Sequence, residues 1–128
     1  MFDLKVIAKF SNRIEGKGFI GIGFRSQHFY SNYTHMVYLT HEGEIILVQP
    51  DDDHELHYRD IKLRGATKID HDADHRFEVA LDDVTLKIRV DEFSSDRKVA
   101  EMPKVLGPGL IRFQSYSSWM AVSHVWLK

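Results

Sequence analysis

A side-chain period of two runs through most of this chain, and a chain with that period can bury its apolar residues only in sheets. In FDLKVIAKF (2–10), Phe2, Leu4, Val6, Ala8 and Phe10 alternate with Asp3, Lys5 and Lys9. In RFEVAL (76–81), Phe77, Val79 and Leu81 share a face; in VTLKIRV (84–90), Val84, Leu86, Ile88 and Val90 oppose Thr85, Lys87 and Arg89. Successive strand side chains point to opposite sides, so each run offers one apolar face. Asp82-Asp83 reads as a tight hairpin connection between the last two. Further strands are expected over 19–27, 33–40, 44–49, 60–69, 109–116 and 119–127, punctuated by His41-Glu42-Gly43 and Ser117-Ser118. The stretches 50–57, 70–75 and 91–108 are polar or carry Pro and Gly, and read as loops. No segment shows a helical period. About nine short strands, each apolar on one face, predict an all-β fold, an antiparallel β-sandwich or jelly roll with two sheets packed face to face.

The 128 residues fit a single domain, 1–128. A net charge of −2 with no basic run argues against a nucleic-acid partner. No apolar run approaches the length of a membrane span. There are no cysteines, which excludes disulfides and thiolate metal sites and leaves the compartment open. Strand-like runs reach both ends of the chain, so it reads as a module of a longer protein. If that protein is secreted, an extracellular or periplasmic location follows.

Within EGKGFIGIGFR (15–25), Gly16, Gly18 and Gly21 match the G-x-G-x-x-G spacing of a dinucleotide loop. That loop needs a helix after it, whose N-terminus holds the pyrophosphate. Phe19-Ile20-Gly21-Ile22-Gly23-Phe24 is a poor helix and a good strand. Gly16 and Gly18 are therefore expected at a connection between antiparallel strands. Ile20, Ile22 and Phe24 should face the core, with Gly21 and Gly23 beside Phe19, Arg25 and Gln27 on the other face. Glycine inside a strand marks a close approach. It should leave a shallow bare strip that either a flat ligand or a neighbouring loop covers.

The order of these pieces resembles the concanavalin A-like lectin/glucanase jelly rolls. It is most similar to the laminin-G-like branch with the 3-keto-disaccharide hydrolase-type domains and the fructan-binding modules of inulinases and levanases. The matching pieces are FDLKVIAKF, GIGFRSQ, YTHMVYLTHEGEIILVQ, HRFEVALDDVTLKIRVD, GPGLIRFQSYSS and AVSHVWL. Two departures stand out. The family's opening segment is missing, so a sheet is expected to lack an edge strand, and His124 stands where an asparagine often sits. The resemblance implies carbohydrate contact without establishing catalysis. The glucanase carboxylate cluster E-x-D-x-x-E has no counterpart here, so no catalytic residue is transferred.

The residues themselves nominate a site. Arg25 and Gln27 on one strand and Arg112, Gln114 and Tyr116 on another present Arg-x-Gln to the non-core face. Planar polar forks of this kind give paired hydrogen bonds to sugar hydroxyls. Tyr33, Tyr38 and Trp119 would rim that face with rings that combine an apolar body and a polar tip. The bland reading is a solvated sheet face. Trp126, alternating with Val125 and Leu127, should point outward while those two face the core.

PDDDHELH (50–57) gathers Asp51, Asp52, Asp53, His54, Glu55 and His57, hard ligands that suit a structural calcium ion, but in no defined calcium-loop spacing. No other cofactor is expected. Of the eight histidines, His71 and His75 lie four apart in an expected loop, where no helical chelate forms. Asn32-Tyr33-Thr34 is a glycosylation sequon. The reading that follows is a non-catalytic, lectin-like module whose partner is an oligo- or polysaccharide. A glycoside hydrolase of the keto-disaccharide type, with Glu44 and Asp60 as strand-borne carboxylates, and a structural or protein-interaction domain are the alternatives.

Overall fold

The computed structural model describes residues 2–13, 18–26, 35–51, 54–82, 84–98 and 110–128. Ten strands appear among them: β1 (Phe2–Arg13), β2 (Phe19–Ser26), β3 (His35–Thr40), β4 (Ile45–Asp51), β5 (His54–Arg64), β6 (His75–Leu81), β7 (Thr85–Val90), β8 (Phe93–Lys98), β9 (Leu110–Tyr116) and β10 (Ser118–Leu127). They form two antiparallel five-stranded sheets, a first of order β10-β1-β6-β7-β8 and a second of order β5-β4-β3-β2-β9. The expected β-sandwich jelly roll is the fold.

The core is the space between the two inner faces. Leu4, Val6, Ala8, Phe77, Val79, Leu86, Ile88 and Val90 come from the first sheet. Ile20, Ile22, Phe24, Val37, Leu39, Ile45 and Leu47 come from the second. All are buried, as the alternation predicts. Removing such a side chain to alanine costs roughly 2–5 kcal/mol, transfer and cavity together.

Several expectations are corrected. β8 lies in a stretch read as loop; as the edge of its sheet it alternates between half-buried and exposed without a continuous apolar row. β5 runs earlier than 60–69. The chain leaves the sheet after Arg64 and wraps the 41–43 turn, where Thr67 N–H donates to the Glu42 carbonyl at 2.9 Å. Gly43 sits in that turn at φ 84°, the glycine-favoured region, against Thr67. Val84 is 68% exposed rather than core. It lies in the β6–β7 turn, closed by Asp82 N–H to Thr85 O, while the Asp82 carboxylate accepts from the N–H groups of Val84 and Thr85. Val125 and Leu127 are exposed too. They belong to the edge strand β10, whose inner row past Met120 the opposing sheet leaves uncovered among the described residues.

β10 pairs with β1 through two irregularities. His124 and Val122 face the consecutive residues Ile7 and Ala8, so Ser123 is an extra residue on β10; Ser11 is extra on β1. The Ser123 hydroxyl donates to the Ile7 carbonyl and accepts from His124 Nδ1.

At one end of the core Phe10 meets the edges of three imidazoles, His41, His71 and His75. The stretch 70–74 is the expected loop, with Asp70, Asp72 and Asp74 exposed, but it carries half-buried His71 and leads into buried His75, the first residue of β6. His71 Nε2 donates to the His41 carbonyl at 2.6 Å. His75 Nδ1 lies 2.8 Å from the Asp91 carboxylate, and its Nε2 lies 3.0 Å from the Asp70 carbonyl. Both partners can only accept, so the geometry suits an imidazolium. At the other end of β3 the core turns polar, with buried His35 against Phe24.

Candidate functional site

Alternation and register together build the outer face of the second sheet. Gly21 pairs with Tyr38 on one side and Gln114 on the other; Gly23 pairs with Met36 and Arg112; Phe19 pairs with Thr40 and Tyr116. Tyr38, Arg112, Gln114 and Tyr116 therefore share one face with Phe19, as the sequence implies. The expected bare strip is not there. Gly21 and Gly23 are buried. A Cβ on Gly21 would come within 2.5 Å of the Tyr38 Cβ and 2.6 Å of the Val37 carbonyl, so the glycine permits the two strands to close.

What that closure produces is an aromatic shelf. The Phe19 and Tyr38 rings lie 4.2 Å apart at 26°, and Phe19 and Tyr116 lie 5.9 Å apart at 21°. Phe19 is the middle ring and was not nominated from sequence. Its position on the face of Gly21 and Gly23 is the signal that could have found it. Tyr116 is 62% exposed, so the shelf opens to solvent at that end.

Beside the shelf runs a groove of about 290 Å³, lined by the three rings together with His41, Glu42 and Glu44. Burial, then the negative charges of Asp60 and Glu44, push the Tyr38 phenol above its ordinary pKa. Tyr38 therefore keeps its O–H as a donor at neutral pH. Glu44 and Asp60 thus both act on Tyr38, and Glu44 is held by Lys62, Nζ to Oε2 at 2.6 Å. Glu44 also precedes β4 rather than lying in it.

Trp119 does not belong to the second sheet. It stands at the start of β10, in the first sheet, because the chain crosses between sheets at Ser117, which turns the corner with φ 47°. There Trp119, 66% exposed, shares a second shallow groove of about 290 Å³ with Gln114, Phe113 and Met120. The nominated residues are thus divided between two grooves, Tyr38 and Tyr116 in one, Gln114 and Trp119 in the other. Arg112 is half-buried opposite Gly23. Gln27, Tyr33, the sequon, Asp52 and Asp53 lie outside the described residues, as do the side chains of Arg25 and 54–57. The pairing of β2 with β9 also slips between Gly23 and Ser26. Among the described residues no group of three or more His, Asp or Glu is disposed to hold a metal ion.

No protein-family model matches the sequence, and no curated protein matches it significantly. Among solved structures it is similar to the carbohydrate-binding module CBM66 from Bacillus subtilis. The TM-score is 0.68, covering 99% of this chain and 74% of that one, at 12% identity. At that identity the likeness is one of fold.

Proposed function

We infer that this chain is a non-catalytic carbohydrate-binding module of the concanavalin A-like, laminin-G-like kind, and that it takes an uncharged sugar on the outer face of its second sheet. The observation that carries this reading is the row of three near-parallel rings, Tyr38, Phe19 and Tyr116, beside a polar groove. An aromatic face suits the C–H face of a sugar ring, and the Tyr38 phenol and the Glu42 and Glu44 carboxylates in the same groove offer hydrogen bonds at its margin. The groove's own lining carries the carboxylates of Glu42 and Glu44 and no lysine or arginine, which disfavours anionic sugars. The architecture shared with CBM66 supports the same reading. A shallow face buries little area, so affinity per sugar unit is weak.

The test is a glycan array with the wild-type chain and Tyr116→Ala. Binding to neutral glycans that the variant loses supports the site; equal binding by both places it elsewhere. A second reading, a protein-interaction domain within a longer chain, draws on the exposed inner-face residues Phe113, Val122, Val125 and Leu127. A blank array together with concentration-dependent self-association would favour it.

A further inference from the structure

The outer face of the first sheet carries a different constellation. Trp126 pairs with Lys5, Lys5 with Glu78 and Glu78 with Arg89, a row running inward from the β10 edge. Trp126 is 48% exposed. The imidazole of His124 lies 5.4 Å from its indole at 10°, nearly parallel, and holds the ring from one side. Trp126 also lines a groove of about 370 Å³ with Asp3, Lys5, Arg76, Glu78 and Lys128. His124 is not among the lining groups, so it backs the indole from outside the groove.

The charges in this groove are unevenly committed. Glu78 is shared by Lys5 at 3.6 Å and Arg89 at 3.0 Å. Arg76 and Lys128 have no ion-pair partner among the described residues. Three cationic side chains against two carboxylate side chains leave the lining's side chains at +1. The Asp3 Oδ1 atom is buried with no hydrogen-bond partner among the described residues. An unsatisfied acceptor of that kind gains from any donor that comes within reach after a rotation of the side chain.

We propose that this groove is a second sugar subsite, selective for an acidic sugar unit. Trp126 supplies the stacking face, the Arg76 guanidinium forks onto the sugar carboxylate, and Asp3 accepts from a ring hydroxyl. A guanidinium matches a carboxylate with two parallel hydrogen bonds, which an ammonium does not. The subsite extends the carbohydrate reading but stands on other residues, on the opposite sheet, and its charge has the opposite sign. A chain with both would bridge neutral and acidic segments of one polysaccharide.

The two tryptophans of the chain make the proposal separable from the first. In a ¹⁵N NMR spectrum of the whole chain each indole N–H gives its own signal, and Trp126→Phe assigns them. The probes are trimers of galacturonate, glucuronate, mannuronate and guluronate, with an uncharged galactose trimer as control. The expected result is that at least one uronate trimer moves the Trp126 signal at millimolar concentration. Arg76→Gln should then weaken that response at least tenfold, and the galactose trimer should leave it in place. The proposal is overturned if no uronate moves Trp126, if the uncharged trimer moves it equally, or if Arg76→Gln responds like wild type. A movement caused by added peptide instead of any sugar also overturns it. Loss of neutral-glycan binding on the array bears on the aromatic shelf alone and leaves the Trp126 result standing.

Discussion

Gly21 faces Tyr38 across the β2–β3 ladder so closely that a single added methyl would come within 2.5 Å of the tyrosine Cβ. The contact is with backbone as well, at the Val37 carbonyl, so the strands themselves would have to part. Gly21→Ala is therefore expected to cost roughly 1–3 kcal/mol, in the range of overpacked cores. It should also weaken glycan binding, because Tyr38 and its stack on Phe19 move with the strand. Denaturant unfolding and an array binding assay on the same variant check both effects. A Gly21→Ala protein with wild-type stability would mean that the strands are not held this close.

The outer ring of the shelf can be removed with less damage. Tyr116 is largely exposed and contributes little to the core. Tyr116→Ala should lower affinity for neutral glycans by roughly tenfold, about 1.4 kcal/mol, while the unfolding midpoint stays at the wild-type value. Phe19→Ala should lower both, since Phe19 is half-buried and holds Tyr38 and Tyr116 together. Calorimetric titration beside thermal unfolding distinguishes the two patterns.

His35 sets an acid limit on the fold. Its ring is buried, neither nitrogen has a hydrogen-bond partner among the described residues, and burial lowers its pKa to about 4. The unfolded chain binds the proton at a higher pH than the folded one. Stability is thus full above the unfolded value near 6.5 and falls as pH drops toward 4. The difference amounts to roughly 3 kcal/mol. His35→Leu should flatten the stability profile between pH 6.5 and about 4. A variant with the wild-type slope would assign the acid sensitivity to other groups.

His75 works in the opposite sense. The hydrogen bond to Asp91 raises its pKa, against the effect of burial, and the Asp70 carbonyl adds to the rise. Burial disfavours the Asp91 carboxylate, but His75 and the Arg76 N–H outweigh it and hold its pKa low. The imidazolium's contribution is complete below its unfolded pKa and is lost as pH rises through the raised folded value, where one acceptor loses its donor. Asp91 contributes above the unfolded carboxylate range and loses that contribution as pH falls through its lowered value. Asp91→Asn should bring the His75 titration, followed by NMR, back toward or below its ordinary range. An unmoved His75 pKa would contradict the contact.

How far the sequence carries depends on what each signal measures. Alternation locates Ile20, Ile22 and Phe24 on the inner face and Gly21 with Gln114 on the outer one, because a strand's period is a local property. It misses β8, whose residues Phe93–Lys98 form an edge with no apolar row to show. It does not assign Trp119 to a sheet, because nothing in Ser117-Ser118 says that the chain there passes from one sheet to the other. It puts Val125 and Leu127 in the core because period alone does not report which inner faces the opposing sheet reaches. The shelf needed Phe19, which alternation put on the right face without revealing that its neighbours would stack upon it.

The extra serine in β10 has a bearing on solubility. SWMAVSHVWL is a ten-residue edge with no acidic or basic side chain other than His124 and no proline, a composition that invites another molecule's strand to add to it. The pairing irregularities at Ser123 and Ser11 bend and twist that edge out of the flat shape such addition requires. Resistance to strand addition would then rest on two small residues. Deleting Ser123 would straighten the ladder at one of them, leave the core intact, and favour assembly edge to edge.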